Sequence, residues 1–442
     1  MEEALAIEKS GYIKVLMSWL LYNLIGISFR LGIKPYFDLQ VDGLENYSET
    51  PSSLVVANHK RDLDSVLIAT VLYYYNGFLS PATPISFMAA ENLFQPGFLG
   101  NWIKGPKLLK KILQPVSLGF ILRKLHAYPI SKLDFHSVPV HDALRIIQEE
   151  DNDPQLREVI KKEPLEKLLE NSSLGSPYMR ISEFFEREGY PRRKISSRHF
   201  KSEFRKAVKK SKLGAVKGQL TKFIELLNEG AILYITPEGG LSKDGTLGHL
   251  KDSLLILIDE ADPEVTVVPT NITYDFMKQE KTRIFVNLGK EIRELDELEK
   301  KEKREKLRET ILGLTTINFG QLASYHLVEA KEAGTERINE QDLLEQVIDN
   351  LEKFDREGFN IDDCLSSQEG ISERWESYIG YCQKRKILTD IRDGGQKNDR
   401  IFTLSQELGY DSNEIARGFK RNPVNYCANE IRGLEKVGLI SL

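Results

Sequence analysis

His59 and Asp64 stand five residues apart in the run "LVVANHKRDLDSVLIAT" (54–70). An imidazole and a carboxylate together can do acid–base chemistry. The carboxylate accepts a hydrogen bond from one ring nitrogen, and the other nitrogen is left to take a proton from a hydroxyl. In a regular α-helix five residues separate two side chains by about 140° around the axis, so they cannot meet on one helix. The sequence offers a break instead. Leu54 to Ala57 is an apolar run that reads as a buried strand, and Leu63 to Tyr75 reads as a helix. His59 in the polar turn between them and Asp64 in the first helical turn would face each other. The alternative is plainer: Asp62 or Asp64 caps the helix or sits in its first turn for the helix dipole, and His59 lies on the surface.

A second polar group follows another apolar run, "AILYITPEGG" (231–240). Gly239 and Gly240 allow a tight turn with exposed backbone N–H groups. Glu238, Ser242, Lys243 and Lys251 surround that turn, and Lys132 ends a further run, "LHAYPISK" (125–132). A glycine turn directly after a buried strand is a common place for a site in an α/β sheet, and a common place for an ordinary loop.

The elements that must position these residues are readable as runs. Strands are expected at 36–47, 54–57, 84–93, 125–132, 231–240, 264–275 and 281–292, with helical stretches between most of them. Strands alternating with helices imply an α/β fold: a mixed central sheet with surrounding helices, an inserted charged helical segment and a helical C-terminal region. A charged helix over 292–312, with Leu295, Leu298, Leu307 and Ile311 as a partial apolar stripe, is expected to close the catalytic domain. Pro237 and Pro269 read as structural.

Here the motifs become specific. "NHKRDLD" (58–64) resembles the His-x4-Asp motif of the glycerolipid acyltransferases. "FMAAENL" (87–93) followed by "LGFILRKLHAYPISK" (118–132) is similar to their second motif, a strand ending in a basic residue. "ITPEGGLSKDGTLGHLKDSL" (235–254) resembles the third, most closely the Glu-Gly-Gly form of the glycerol-3-phosphate and dihydroxyacetone-phosphate acyltransferases. "VVPTNITYD" (267–275) resembles the fourth. All four stand in family order over roughly 36–290, and "VNYCANEI" (424–431) is loosely similar to the helical C-terminus of the glycerol-3-phosphate enzymes. The resemblance implies acyl transfer from a thioester donor, coenzyme A or acyl-carrier protein, to glycerol-3-phosphate in phospholipid biosynthesis. His59 would be the base and Asp64 its orienting partner. Glu238, Gly239, Gly240 and Ser242 would position acceptor or oxyanion, and Lys132, Lys243 and Lys251 would hold the acceptor phosphate. No metal or bound cofactor is implied. Lysophosphatidate is the alternative acceptor, and a non-catalytic lipid- or carrier-binding protein of this fold is the alternative class. Two positions depart from the family: Lys132 and Leu241 stand where arginines are usual, and lysine lacks the bidentate fork that arginine offers phosphate.

The chain has 442 residues, more than one typical core, so one large domain and smaller additions are expected. The boundaries read as 1–35, a membrane-interface or core-covering helix; 36–320, the acyltransferase domain with a charged helical insert at about 145–216; and 321–442, a helical region with no catalytic cluster. Ile13 to Ile33 is apolar but interrupted by Lys14, Asn23 and Arg30, and Trp19, Tyr22 and Phe29 suit a membrane interface better than a span. The formal net charge of −5 gives nucleic acid no support as a partner. Against that balance, 192–212 carries ten Lys and Arg, from Arg192 to Lys212, against Glu203 alone, which suits an anionic membrane or acyl-carrier protein. Cys364, Cys382 and Cys427 form no metal spacing and fit a reducing compartment. The expected location is cytoplasmic, at a membrane surface.

Overall fold

The structure, a computed structural model, describes residues 2–47, 52–74, 83–94, 98, 106–113, 116–130, 138–170, 176–188, 194–295, 297–391, 400–405 and 422–442. The strands are β1 (Phe37–Asp42), β2 (Ser53–Ala57), β3 (Ile85–Ala90), β4 (Ala127–Ile130), the short β5 (Val138–Pro139) and β6 (Lys194–Ile195), β7 (Ile232–Ile235), β8 (Thr266–Asp275) and β9 (Thr282–Leu288). Every strand expected from the apolar runs is present. The helices that matter for the site are α1 (Glu2–Ile33), α2 (Asp64–Tyr73), α3 (Ser202–Asn228), α4 (Asp252–Glu260), α5 (Lys300–Gly313), α6 (Phe319–Glu332) and α7 (Pro423–Lys436).

Seven strands form a mixed sheet in the order β1-β9-β8-β2-β7-β3-β4. β2 pairs in parallel with β8 on one side and β7 on the other, and the β8–β9 pair is antiparallel. β2 and β7 are buried along their whole length, which is why both read as continuous apolar runs rather than as alternation. β8 is also buried throughout, yet carries Thr270, Asn271 and Thr273. Its polar groups are matched: the Asn271 amide donates to the Ile311 carbonyl at 2.8 Å, and the Thr273 hydroxyl to Asn271 at 3.0 Å.

The charged helix is shorter than 292–312. It begins at Lys300, where Glu299 and Glu302 form a capping box that satisfies the first free N–H groups. Leu295 lies outside the helix but is buried. The region after 321 is mainly helical and adds a three-stranded antiparallel sheet from Arg337–Asn339, Ile401–Leu404 and Leu388–Ile391.

By contacts the chain divides into two compact units. One comprises 1–88, 118–128 and 223–442, the other 89–117 and 129–222. The second contains the charged segment marked at about 145–216, and α3 belongs to it up to residue 222. That unit has its own core, including Val140, Leu144, Ile147, Val159, Phe184 and Phe200, under helices whose outer faces carry the charge. Lys132, Arg192 and Arg193 lie outside the described residues.

Candidate active site

β2 and β7 are neighbours in the register Val56↔Ile235. His59 and Glu238 each lie three residues past that pair, so two segments distant in sequence come abreast at the C-terminal edge of the sheet. The His59 N–H donates to Glu238 Oε1 at 3.0 Å, and the Ser242 N–H to the His59 carbonyl at 2.6 Å. The histidine backbone is thus held on both sides by the glycine loop.

The His59 ring and the Asp64 carboxylate meet: Nδ1 is 3.1 Å from Oδ2. Asp64 is not the helix cap, a position taken by Leu63. It is wholly buried and turns back onto the preceding loop. Oδ2 also accepts from the N–H groups of Lys60 at 2.6 Å and Arg61 at 2.8 Å, and Oδ1 accepts from the Tyr274 hydroxyl at 2.5 Å. Four donors fix the carboxylate. With a carboxylate as partner Nδ1 is the donor, which leaves the lone pair on Nε2. No described residue bonds Nε2, and the His59 side chain keeps 16% exposure, so a hydroxyl can reach it.

Tyr274 is the first residue that the motif reading left without a role. Burial, and then the Asp64 charge, push its hydroxyl well above the ordinary range, so it stays a donor. The Arg61 guanidinium stacks over the Tyr274 ring at 4.8 Å and also lies 5.9 Å from the Phe37 ring. Asn58 pins the start of the turn to β8, donating to the Ile272 carbonyl at 3.1 Å and accepting from its N–H at 2.8 Å.

The glycine loop differs in part from what the resemblance implies. Glu238 has both oxygens engaged by backbone: His59 takes one and the Gly248 N–H donates to the other at 2.8 Å. Burial raises its carboxyl above the usual range, while those N–H groups and the His59 and Lys60 charges pull it back. So placed, Glu238 clamps the two loops together rather than reaching towards an acceptor. Ser242 is likewise internal: its hydroxyl accepts from the Gly245 N–H and donates to the Thr246 carbonyl. The Gly239 N–H donates to the Thr236 carbonyl at 3.1 Å, closing a turn in which Gly239 takes φ +66°. No described residue accepts the Gly240 N–H. Lys251 precedes α4 and lays its stem over Gly239, and Lys243 and Lys251 are both exposed. Arg308 on α5 donates to the carbonyls of Leu247 at 2.6 Å and Gly248 at 2.7 Å.

The C-terminal region supplies the largest surprise. Glu430 on α7 is buried and accepts from the Lys60 ammonium and from the Gln321 amide, each at 2.5 Å. Asn429 donates to the Asp244 carbonyl at 3.0 Å, and Gly245, at φ +99°, packs so closely on α7 that a Cβ there would lie 2.1 Å from the Tyr426 carbonyl oxygen. One helix therefore braces both loops at this edge of the sheet. Asn58, Lys60, Glu238, Asn271 and Glu430 line a cavity of about 10 Å³, with Leu247 and Leu312 also on its wall, room for about one water. The signal was present in "VNYCANEI": Tyr426 and Glu430 are four apart, polar residues on one face of an otherwise packed helix. Among the described residues no cluster of His, Cys, Asp and Glu has the geometry to hold a metal.

No protein-family model matches the chain, and no curated protein matches it significantly. Among solved structures it is similar to the 1-acyl-sn-glycerophosphate (LPA) acyltransferase PlsC of Thermotoga maritima, at 18% identity over 68% of this chain and 85% of that one. The TM-score is 0.33, and at that level the likeness says nothing of activity.

Proposed function

We propose that this protein is an O-acyltransferase that moves a fatty acyl group from a thioester donor to a hydroxyl of glycerol-3-phosphate. The observation that carries the reading is the His59–Asp64 pair at 3.1 Å, with the carboxylate fixed by three further donors and Nε2 open. The acceptor O–H gives its proton to Nε2 as the oxygen bonds to the acyl carbon. The C–S bond breaks, and the proton passes from the imidazolium to the departing thiolate, so the products are an ester and a thiol. Asp64 stabilises the imidazolium that forms in between. The free Gly240 N–H is available to the acyl oxygen as charge develops there. Lys243 and Lys251 offer point charges to a phosphate, and Lys132 is proposed to do the same.

A second reading has a specific support. Leu63 is exposed beside Asp64, and Phe29, Phe37, Leu67 and Ile284 line a small apolar recess with Arg61 and Tyr274. These suit an acceptor that already carries a chain, 1-acylglycerol-3-phosphate. Thiol release from acyl-coenzyme A and from acyl-carrier protein, each with glycerol-3-phosphate, dihydroxyacetone phosphate or 1-acylglycerol-3-phosphate, separates the two. Release is expected to depend on one acceptor and to fall ~10²–10⁴-fold in His59→Ala. Release that ignores the acceptor would mean a thioesterase, and none with any combination a binding protein.

A further inference from the structure

α1 is apolar on two opposite sides. Tyr22, Gly26, Phe29 and Ile33 recur at helical spacing and face the protein. Tyr22 packs on Tyr73 with ring centroids 4.6 Å apart, and Gly26 lies against the Tyr74 ring. Met17, Leu20, Leu24 and Leu31 fall within about 60° of one another on the far side. All four are exposed, Leu24 to 65%. A helix that only covers a core needs the first set and not the second. Phe120, on the helix Gly119–Lys124 that packs against α1, is a further exposed apolar side chain, at 66%. None of the described helices is long and apolar enough to cross a membrane.

Where the stripe ends, the last turn of α1 and the β8–β9 hairpin enclose a recess of about 730 Å³. Its wall carries Arg30, Lys34, Lys278 and Lys281 against Asp38 and Glu280. Both carboxylates are already matched. Asp38 pairs with Arg283 at 3.3 Å, and Glu280 faces Lys278 at 3.9 Å while accepting from the Ser377 hydroxyl at 2.6 Å. The Lys281 ammonium donates to the Lys34 carbonyl at 3.0 Å, which draws two cationic residues together without cancelling either charge. Lys34, Lys278 and Lys281 alone outnumber the two carboxylates, so the wall keeps a positive excess in a chain that is negative overall.

An occupant must be anionic at the recess and apolar along the stripe. We propose that the recess binds the phosphate-bearing headgroup of an anionic membrane lipid while the α1 stripe lies in the bilayer surface. A helix in that position sinks its apolar face about 5–10 Å into the headgroup–acyl boundary, and Lys34 of the recess stands three residues past Leu31, the last residue of the stripe. The site does not depend on the acyl-transfer reading, because neither His59 nor Asp64 lines it.

Flotation of the full chain on phosphatidylcholine vesicles, with and without phosphatidylglycerol, tests this. Binding is expected to be stronger with phosphatidylglycerol. Lys278→Gln with Lys281→Gln should reduce that excess by about fivefold for each charge removed and leave binding to phosphatidylcholine alone unchanged. Leu20→Gln with Leu24→Gln should weaken binding to both vesicles. If the double lysine variant melts early, Lys34→Gln, an exposed residue after α1, carries the same test at about fivefold. Equal flotation with and without phosphatidylglycerol overturns the proposal, as does equal flotation of parent and lysine variants. Titration with inorganic phosphate is the third arm. If it binds the protein as tightly as anionic vesicles do and the lysine variants lose it, the recess is a soluble-anion site and the lipid proposal fails.

Discussion

Lys60 and Glu430 show how much one buried contact can ask of the turn that carries His59. The side chains meet at 2.5 Å with almost no solvent, and Gln321 takes the second carboxylate oxygen. Removing either partner leaves the other charge buried and unmatched, at a cost of about 3–5 kcal/mol. Replacing both by apolar residues of similar length removes that penalty. Lys60→Met and Glu430→Met should therefore each lower unfolding stability strongly, and the double variant should lose less than either. Denaturant melts of the four proteins check this. The Lys60 N–H that holds Asp64 belongs to the backbone and survives the substitution, so activity should fall no further than stability in the double variant. At the same scale, Asp64→Asn should lower kcat with little change in acceptor KM, since a neutral amide, even with its oxygen turned to the Lys60 and Arg61 N–H groups, cannot stabilise the imidazolium. Steady-state kinetics read that split.

The glycine loop makes its predictions as an element. Gly239 and Gly245 both take positive φ, but their surroundings differ. A methyl at Gly239 would meet Lys251 at an ordinary 3.5 Å, so Gly239→Ala should cost only the left-handed backbone, about 1–2 kcal/mol. At Gly245 the same methyl would lie 2.1 Å from the Tyr426 carbonyl oxygen, so either the loop or α7 must move. Gly245→Ala is expected to be the more destabilising of the two and to lower turnover, because the displaced loop also carries Ser242 and its bond to His59. Thermal melts and acyl-transfer rates of the two variants should rank in that order.

At the scale of the whole chain, the charged segment and the site belong to separate cores. Phe184 is fully buried in the second unit, against Val159 and Phe200 in the same cluster. Phe184→Ala should open a cavity costing about 3–5 kcal/mol there. Hydrogen exchange should then lose protection over 138–208 while the strands β2, β7 and β8 keep theirs. Uniform loss across both units would show that they unfold as one. α1, by contrast, is part of the first unit's packing through Tyr22, Tyr73 and Tyr74. Deleting 1–33 would uncover those tyrosines, so point substitutions on its outer stripe separate membrane binding from stability more cleanly than truncation does.

By itself the sequence determined the strands nearest the pair, because fully buried strands demand uninterrupted apolar runs and the chain has them at 54–57 and 232–235. It also determined that His59 and Asp64 could meet, since a strand–turn–helix break is the local geometry that allows it at that spacing. The start of α5 was misjudged because a charged run hides its own cap: Glu299 looks like its neighbours until its side chain is seen on the N–H three residues on. Only the tertiary structure decided what surrounds the pair. Tyr274 reaches Asp64 across 210 residues and Glu430 reaches Lys60 across 370. Such partners are set by strand order and by which face of α7 packs on the loops. Local periodicity encodes which side of an element is buried, but not what is buried against it.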